Sequence, residues 1–282
     1  MIPFKVDLNN KTAVVTGGAG VLGSVFAKAM AECGAKVAIL DLRKDAAGAI
    51  AREIVGDGHV AAGFECNVLD LDSLRSARDE VLPLFGRPDI LINGAGGNHP
   101  GGTTTKDYFD VGDMENVNVR TFFDLEPESV QSVFNLNFVG TLLPTQVFSK
   151  TMLNSVKPTI LNISSMSAFT PLTRVPAYSS AKAAISNFTQ WLAVHFSKQG
   201  IRVNAIAPGF FISDQNRALL LNKDGSHTER AEKILKNTPM GRFGIPEELV
   251  GTLLWLLDEN SSGFVNGAVI PVDGGFSAYS GV

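Results

Sequence analysis

The sequence predicts an α/β fold in which a doubly wound parallel sheet of seven strands carries helices on both faces. Short apolar runs alternate with longer segments of helical periodicity along the whole 282-residue chain. The apolar runs are nearly continuous, as expected for strands that are buried on both faces of a parallel sheet. Right-handed crossovers between such strands give the doubly wound arrangement, the Rossmann fold.

Each predicted element has its own local signal. The strands are apolar runs that mostly end at Gly or a short polar residue: KTAVVTG (11–17), KVAILD (36–41), HVAAGFECNV (59–68), DILING (89–94), KPTILNISS (157–165), IRVNAIAPG (201–209) and GAVIPVDGG (267–275). The helices have apolar residues three and four apart: VLGSVFAKAMAECG (21–34), RKDAAGAIAREIVG (43–56), LDSLRSARDEVLPLFG (71–86), a long helix over 127–153, another over 177–200, and PEELVGTLLWLLDE (246–259).

No linker or repeat interrupts this series, so we expect a single domain over residues 1–282. Two segments are less regular, an insertion at about 97–124 and a region at about 210–245 that we expect to contact the substrate. In doubly wound sheets, ligands bind beyond the carboxyl ends of the strands, and the insertion follows one of these ends.

Composition excludes several classes of function. The chain is 45% hydrophobic and has a net charge of −4 with mixed signs, so neither disorder nor nucleic-acid binding is expected. The apolar run LVGTLLWLL (249–257) is too short to span a membrane, and no signal-peptide core is visible. The two cysteines, Cys33 and Cys66, belong to no metal-binding motif and are expected to be reduced. We therefore expect a cytoplasmic protein without a metal.

The first strand leads into TGGAGVLG (16–23), which predicts a dinucleotide site. Gly17, Gly20 and Gly23 are three residues apart, and Val21 and Leu22 open the following helix. Glycines there permit a tight turn and let the backbone approach a pyrophosphate at the helix N-terminus. The alternative is an ordinary glycine-rich turn, but the position after the first strand favours the cofactor site.

Asp41, at the end of the second strand, predicts a preference for NAD(H) over NADP(H). A carboxylate there accepts hydrogen bonds from ribose hydroxyls and repels a 2′-phosphate. Asp41 can instead cap the next helix, and Arg43 and Lys44 nearby can accommodate a phosphate.

Tyr178 and Lys182 lie four residues apart and share one helix face. An ammonium group beside a phenol is expected to lower the pKa of the phenol, which then acts as general acid or base. Ser165 ends the fifth strand, and its hydroxyl can hold a substrate oxygen on which charge develops. The alternative is that Tyr178 is a core aromatic at the start of the helix.

These motifs, in this order, resemble those of the short-chain dehydrogenase/reductase family. The matching segments, over nearly the whole chain, are TGGAGVLG (16–23), CNV (66–68), NGAG (93–96), NLNFVG (135–140), NISS (162–165), YSSAK (178–182), NAIAPG (204–209) and VDGG (272–275). The glycine spacing departs from the usual GxxxGxG of the family, and the segment between Gly96 and Asn137 is longer than usual.

The resemblance implies an NAD(P)-dependent alcohol/ketone oxidoreductase. It implies that Ser165, Tyr178, Lys182 and Asn137 are catalytic, with Asn137 in a proton relay. It adds cofactor contacts from Asn67, Val68, Asn93, Gly94, Ala95, Tyr178, Lys182, Pro208 and Gly209. It also implies a homo-oligomer, a tetramer or dimer, with WLAVHF (191–196) in an oligomer face.

The segment after NGAG most resembles the D-mannonate oxidoreductase (D-fructuronate reductase) branch of the family. We expect a sugar acid that contacts Asn98, His99, Ser165, Arg174 and Tyr178. His99 and Arg174 are our candidates for the carboxylate, ahead of Lys106 and Arg120.

Alternatives to this substrate are another polyol or keto-sugar-acid dehydrogenase, a 3-oxoacyl-carrier-protein reductase, or a regulatory binding protein on the same fold. Residues 97–124 can also be a surface loop or a subunit contact.

Overall fold

The computed structural model describes residues 6–153, 155–212 and 220–281. Seven parallel strands form one sheet in the order β3-β2-β1-β4-β5-β6-β7. Their bounds are Thr12–Thr16 (β1), Lys36–Asp41 (β2), Val60–Glu65 (β3), Ile90–Asn93 (β4), Thr159–Ile163 (β5), Arg202–Pro208 (β6) and Val269–Val272 (β7). The predicted doubly wound fold is confirmed, and the strand order reverses between β1 and β4, where such sheets open a ligand crevice.

Nine helices of the described residues connect or follow these strands. They are α1 (Val21–Glu32), α2 (Lys44–Gly56), α3 (Leu71–Phe85), α4 (Pro127–Phe134), α5 (Gly140–Met152), α6 (Pro176–Phe196), α7 (Glu229–Lys236), α8 (Val250–Leu257) and α9 (Glu259–Ser262). None of them is long and apolar enough to cross a membrane.

The sheet separates two hydrophobic cores. One core joins α1, α2 and α8 to the sheet through residues such as Phe26 and Leu253. The other joins α3, α5 and α6 to the opposite face through Leu74 and Phe148. Successive residues of β1 alternate between the two cores, so Val14 and its neighbour Val15 are both fully buried. This double burial explains the continuous apolar runs in the sequence.

The long helix predicted over 127–153 contains one irregular turn. Residues Asn135–Val139 form a π turn between α4 and α5. There the side-chain Nδ2 of Asn137 donates to the carbonyl of Val133 at 2.8 Å, a bond that competes with regular helical bonding. Single π turns occur often at functional sites, and Asn137 is one of the predicted catalytic residues.

The two less regular segments are more ordered than their composition indicates. Residues 97–124 contain three 3₁₀ turns, Pro100–Gly102, Val111–Glu115 and Phe122–Asp124. The region at about 210–245 contains α7, which the sequence did not reveal because only Ala231 and Ile234 of its residues are buried. Positions 213–219 of that region lie outside the described residues.

Candidate active site

The carboxyl ends of the strands on both sides of the β1–β4 reversal open into one cleft of about 580 Å³. The predicted catalytic residues Ser165, Tyr178 and Lys182 line this cleft. So does every predicted cofactor residue except Asn93: Gly17, Gly20, Val21, Leu22, Gly23, Asp41, Asn67, Val68, Gly94, Ala95, Tyr178, Lys182, Pro208 and Gly209. The sheet topology thus gathers segments that are far apart in the sequence.

The turn after β1 leaves no room for side chains. Gly17 has a φ of +62°, and a Cβ there would lie 2.8 Å from the Cα of Ala95. A Cβ on Gly23 would lie 2.3 Å from the carbonyl oxygen of Gly17. The start of α1, from Gly20 to Gly23, lines the cleft, and no side chain of the described residues caps this helix N-terminus. This cradle fits the pyrophosphate of a dinucleotide.

Asp41 lies in the same cleft as this turn and is held in place by two backbone groups. Its Oδ2 accepts from the N–H of Ala19 at 3.2 Å, and its Oδ1 accepts from the N–H of Arg43 at 3.1 Å. The Arg43 guanidinium lies 3.6 Å from the same Oδ1 and is largely exposed. The carboxylate is therefore fixed where the second strand meets the cleft, and Arg43 is its ion-pair partner.

Asn93 occupies a different environment from the other predicted cofactor residues. Its side chain is buried, and its Nδ2 donates to Thr145 at 2.9 Å and to Asn162 at 2.8 Å. Asn162 in turn donates to Thr189 of α6 at 2.9 Å. The side chain of Asn93 thus joins β4 to β5 and α5 behind the cleft, and its place in the NGAG motif has this structural explanation.

Tyr178, Lys182 and Ser165 meet at the start of α6. The Lys182 Nζ lies 5.6 Å from the centroid of the Tyr178 ring and donates to the carbonyl of Ile163 at 2.8 Å. The Ser165 Oγ accepts from the N–H of Ser167 at 3.2 Å, which fixes the hydroxyl at the end of β5. The three side chains therefore have the order expected for proton transfer to a bound substrate oxygen.

Burial is the largest cause of the pKa shifts of Tyr178 and Lys182. It raises the pKa of Tyr178, and a hydrogen bond with Ser165 opposes it only in part. Burial also lowers the pKa of Lys182 to about 8. The expectation that Lys182 lowers the pKa of Tyr178 is therefore wrong for the protein alone, because a low-dielectric site penalises both charged forms. Tyr178 is a neutral phenol at neutral pH, ready to donate a proton.

Asn137 is fully buried and supports the loop after β4. Its Nδ2 donates to the carbonyl of Gly97 at 2.7 Å, and its Oδ1 accepts from the N–H of Gly97 at 3.3 Å. A Cβ on Gly96 would lie 2.8 Å from that Oδ1 and 3.2 Å from the Lys182 Nζ. Asn137 and Lys182 therefore both lie against Gly96, although Asn137 does not line the cleft itself.

Cys66 also lines the cleft, and both cysteines are free thiols, as predicted. Burial raises the pKa of Cys66 to about 11, so its thiol stays protonated and unreactive at neutral pH. Among the described residues, no group of three or more His, Cys, Asp or Glu side chains is arranged to hold a metal ion.

A second cavity of about 330 Å³ adjoins the cleft, and Phe210 lines both. Its walls come from the segment before Tyr178, from α7 and from the insertion. Among the residues that the structure describes, its charged lining consists of three basic and two acidic side chains, Arg174, Arg230, Lys233, Asp107 and Glu229. The lining also includes apolar side chains such as Ile234 and Phe276. The cavity thus combines a place for an anionic group with apolar walls.

The predicted substrate residues Arg174, Asn98 and His99 lie in three different places in the structure. Arg174 lines the second cavity and has a φ of +70°, a strained backbone conformation for a non-glycine residue. Asn98 lines the cleft and donates to Thr103 at 3.1 Å. His99 is exposed, lines neither cavity, and caps a turn by accepting from the N–H of Gly101 at 3.2 Å. Its nomination as a carboxylate ligand therefore lacks structural support.

The less favoured candidates for binding the substrate carboxylate, Lys106 and Arg120, interact with other groups of the protein. Lys106 pairs with Asp113 inside the insertion, and Arg120 donates to the carbonyl of Pro100 at 2.6 Å. Sequence reasoning missed Asp107, Arg230 and Lys233. The i, i+3 spacing of Arg230 and Lys233 within ERAEKILK was the available signal, because it puts both on one face of a helix.

A dinucleotide cleft with Ser, Tyr and Lys side chains at the switch point of a doubly wound sheet defines a nicotinamide-dependent oxidoreductase. The short chain dehydrogenase model matches residues 11–224. The chain belongs to the short-chain dehydrogenase/reductase family and is an oxidoreductase of that family.

Two bacterial proteins are similar over nearly their full length. An uncharacterized oxidoreductase of Haemophilus influenzae is 58% identical, covering 98% of this chain and 96% of the relative. The uncharacterized oxidoreductase UxuB of Bacillus subtilis is 52% identical, covering 100% of both chains.

Two solved structures share the fold. A Haemophilus protein provisionally named a D-mannonate oxidoreductase, with bound NAD, superposes with a TM-score of 0.94 at 57% identity and full coverage of both chains. A gluconate 5-dehydrogenase from Burkholderia cenocepacia, in complex with NADP and tartrate, has a TM-score of 0.82 at 27% identity, covering 99% of this chain and 100% of that one.

Proposed function

We propose that this oxidoreductase uses NAD(H) to interconvert a secondary alcohol and a ketone of a sugar acid, most closely D-mannonate and D-fructuronate. The observation that carries the proposal is the cavity with three basic side chains next to the catalytic cleft. A carboxylate in that cavity would leave the rest of a six-carbon chain to extend past Phe210 toward Tyr178. The provisional name of the similar Haemophilus structure supports the same substrate.

Each catalytic side chain has a role that its environment supports. In the direction of reduction, Ser165 holds the carbonyl oxygen and Tyr178 donates the proton that converts it to a hydroxyl. Lys182 lies beside the Tyr178 ring and holds α6 to the end of β5 through Ile163. A nicotinamide cofactor supplies the hydride when bound. In oxidation the proton moves in the opposite sense, from the alcohol to the Tyr178 phenolate.

The cofactor preference follows from Asp41. A carboxylate that lines the cleft and is fixed by two backbone N–H groups favours ribose hydroxyls over a 2′-phosphate. Its pairing with Arg43 partly offsets this repulsion. We propose NAD(H) as the preferred cofactor, as the NAD bound in the Haemophilus structure also suggests.

Oligomer formation and location complete the proposal. Trp191 and His195 stack on α6 with ring centroids 4.5 Å apart, and Trp191 and Val194 are exposed. Such an apolar face supports a homodimer or homotetramer, which sedimentation of the purified chain would measure.

Free thiols at Cys33 and Cys66 support a cytoplasmic location. We also keep the proposal of a single domain over residues 1–282.

The experiment that tests the function uses a matched pair of substrates. D-fructuronate and D-fructose share the ketone and the neighbouring hydroxyls and differ in a carboxylate against a hydroxymethyl group. We expect kcat/KM with NADH to be at least about 10-fold higher for D-fructuronate, from the ~1.5–3 kcal/mol of a charge-assisted hydrogen bond. Faster turnover of D-fructose would favour a polyol dehydrogenase, and faster turnover of an acetoacetyl thioester would favour a 3-oxoacyl reductase.

A further inference from the structure

The second cavity contains three basic side chains with unequal surroundings. Asp107 is mostly buried, and its Oδ1 accepts from the Nε of Arg174 at 2.8 Å. Its other carboxylate oxygen pairs with the Nζ of Lys233 on α7. Thr173 also donates to Asp107, at 2.9 Å. One carboxylate from the insertion thus engages two of the three cations and leaves them less available to a ligand.

Arg230 differs from its two basic neighbours. It is half-buried on α7, it lines the cavity, and it forms no ion pair with any described residue. Burial and the positive charge of Arg174 lower its pKa, but a guanidinium still keeps its charge at neutral pH. A half-buried cation that has no acidic partner among the described residues is costly, and an anionic ligand in the cavity would remove that cost.

The cavity that Arg230 lines also adjoins the catalytic cleft, so that one substrate can extend into both. The segment 170–174 also lines this cavity, and the backbone N–H of Leu172 in that segment donates to the Ser179 hydroxyl at 3.2 Å. Ser179 is the neighbour of Tyr178 in α6, so the cavity wall is tied to the catalytic turn. In D-fructuronate, three hydroxylated carbons separate the ketone from the carboxylate, which suits a subsite next to the catalytic cleft.

We propose that Arg230 binds the substrate carboxylate and sets the specificity for acids over neutral sugars. The planar guanidinium can donate two parallel hydrogen bonds to a carboxylate. Asp107 engages Arg174 and Lys233, and so joins the insertion to α7 while leaving Arg230 to the ligand. The proposal rests on the proposed function, and it replaces His99 and Arg174 as the main carboxylate ligands.

The test compares Arg230→Met with Lys236→Met. The control removes the same charge from the exposed last turn of α7. Arg230→Met should raise KM for D-fructuronate at least about 10-fold, while kcat/KM for D-fructose changes by less than about 2-fold. Arg230→Lys, which keeps the charge without the planar fork, should give an intermediate KM and covers the case in which the Met variant does not fold. Equal losses with both substrates, or no loss with either, would overturn the proposal.

A binding measurement separates this inference from the proposed function. D-gluconate, an acid without a ketone, is titrated calorimetrically into the wild type and the Arg230 variants, each with saturating NADH. If the wild type reduces only neutral ketones but binds D-gluconate in a manner that Arg230→Met weakens at least about 10-fold, the anion subsite stands and the sugar-acid function fails. If D-fructuronate is reduced but Arg230→Met leaves its KM unchanged, the function stands and the role of Arg230 fails. If the wild type binds no D-gluconate and reduces no keto acid, both fail.

Discussion

At the scale of single residues, burial disfavours the charged forms of both Tyr178 and Lys182 in the candidate active site. Tyr178 and Lys182 share one helix face, where Lys182 is buried and Tyr178 is partly buried at the edge of the cleft. Burial is the largest cause of the pKa shift of both. The protein alone therefore holds a neutral phenol beside an ammonium that loses its proton near pH 8. This arrangement favours proton donation to a ketone, and we expect oxidation of an alcohol to become faster as the pH rises, since it needs the Tyr178 phenolate.

Replacing Tyr178 with Phe removes the proton donor without changing the ring that packs on α6. We expect kcat to fall by a factor on the order of 10² to 10⁴, the usual contribution of general acid–base catalysis, with NADH affinity retained. Steady-state kinetics and NADH fluorescence titration measure the two quantities. Tyr108→Phe, at a side chain that is 82% exposed, is the control and should leave both unchanged. A Tyr178→Phe enzyme with more than half the wild-type kcat would exclude Tyr178 from proton transfer.

Lys182 makes stability depend on pH in a defined direction. Burial lowers its pKa to about 8 in the folded chain, from the ordinary value of 10.5 that it has in the unfolded chain. Between these values the unfolded state binds more protons, so the free energy of unfolding contributed by Lys182 rises with pH, by about 3 kcal/mol in total. Below pH 8 both states are protonated and the contribution is constant.

Lys182→Met removes this dependence. In urea unfolding, the difference in stability between the wild type and Lys182→Met should shift by about 3 kcal/mol in favour of the wild type from pH 8 to pH 10.5. Subtracting the two proteins cancels the contribution of Cys66, whose raised pKa acts in the opposite direction. A constant difference across this range would show that Lys182 has an ordinary pKa in the folded chain.

At the scale of elements, the backbone of the turn between β1 and α1 is packed too closely to admit a side chain at Gly23. A Cβ at Gly23 would meet only backbone atoms, the carbonyl oxygen of Gly17 at 2.3 Å and the Cα of Gly18 at 2.8 Å. Backbone cannot move aside as the end of a side chain can. The geometry of the turn therefore depends on Gly23 having no side chain.

Gly23→Ala should displace the turn and weaken NADH binding at least about 10-fold, with a loss of stability of about 1–3 kcal/mol from overpacking. Gly251→Ala in α8 is the matched control, since nothing lies within 4 Å of the added methyl group. It should leave NADH binding unchanged and change stability by less than about 1 kcal/mol. NADH affinity in Gly23→Ala equal to that of the control would place the pyrophosphate elsewhere.

An element could be predicted from the sequence when its pattern of apolar residues was clear over a short stretch of the chain. KVAILD predicts β2 because its residues are buried on both faces, and the structure has β2 at Lys36–Asp41. The π turn at Asn135–Val139 left no such signal, because the apolar spacing of its residues is that of an ordinary helix. The bond from Asn137 to Gly97 joins residues 40 positions apart, which no local pattern records. Helix α7 escaped prediction because only Ala231 and Ile234 of its residues are buried, in a small hydrophobic cluster, so its sequence is mostly polar.

At the scale of the whole molecule, the cofactor cleft and the second cavity differ in how far the sequence predicted them. The cleft follows from strand ends that the topology must bring together, so local motifs located it. The second cavity combines Asp107, Arg174 and Arg230 from three separate segments, and no local pattern records their proximity. Asp107 gives the 97–124 insertion one structural purpose, since it contacts both the segment before Tyr178 and α7.

The stoichiometry of one reaction tests directly whether the protein is an NADH-dependent reductase of a keto sugar acid. Purified protein is mixed with NADH and D-fructuronate, NADH loss is followed by absorbance, and the acid products are identified by NMR. We expect one D-mannonate to form for each NADH consumed, and no consumption above background with the Tyr178→Phe protein. NADH consumption with D-fructose or an acetoacetyl thioester but not with D-fructuronate or any other keto sugar acid would contradict this expectation.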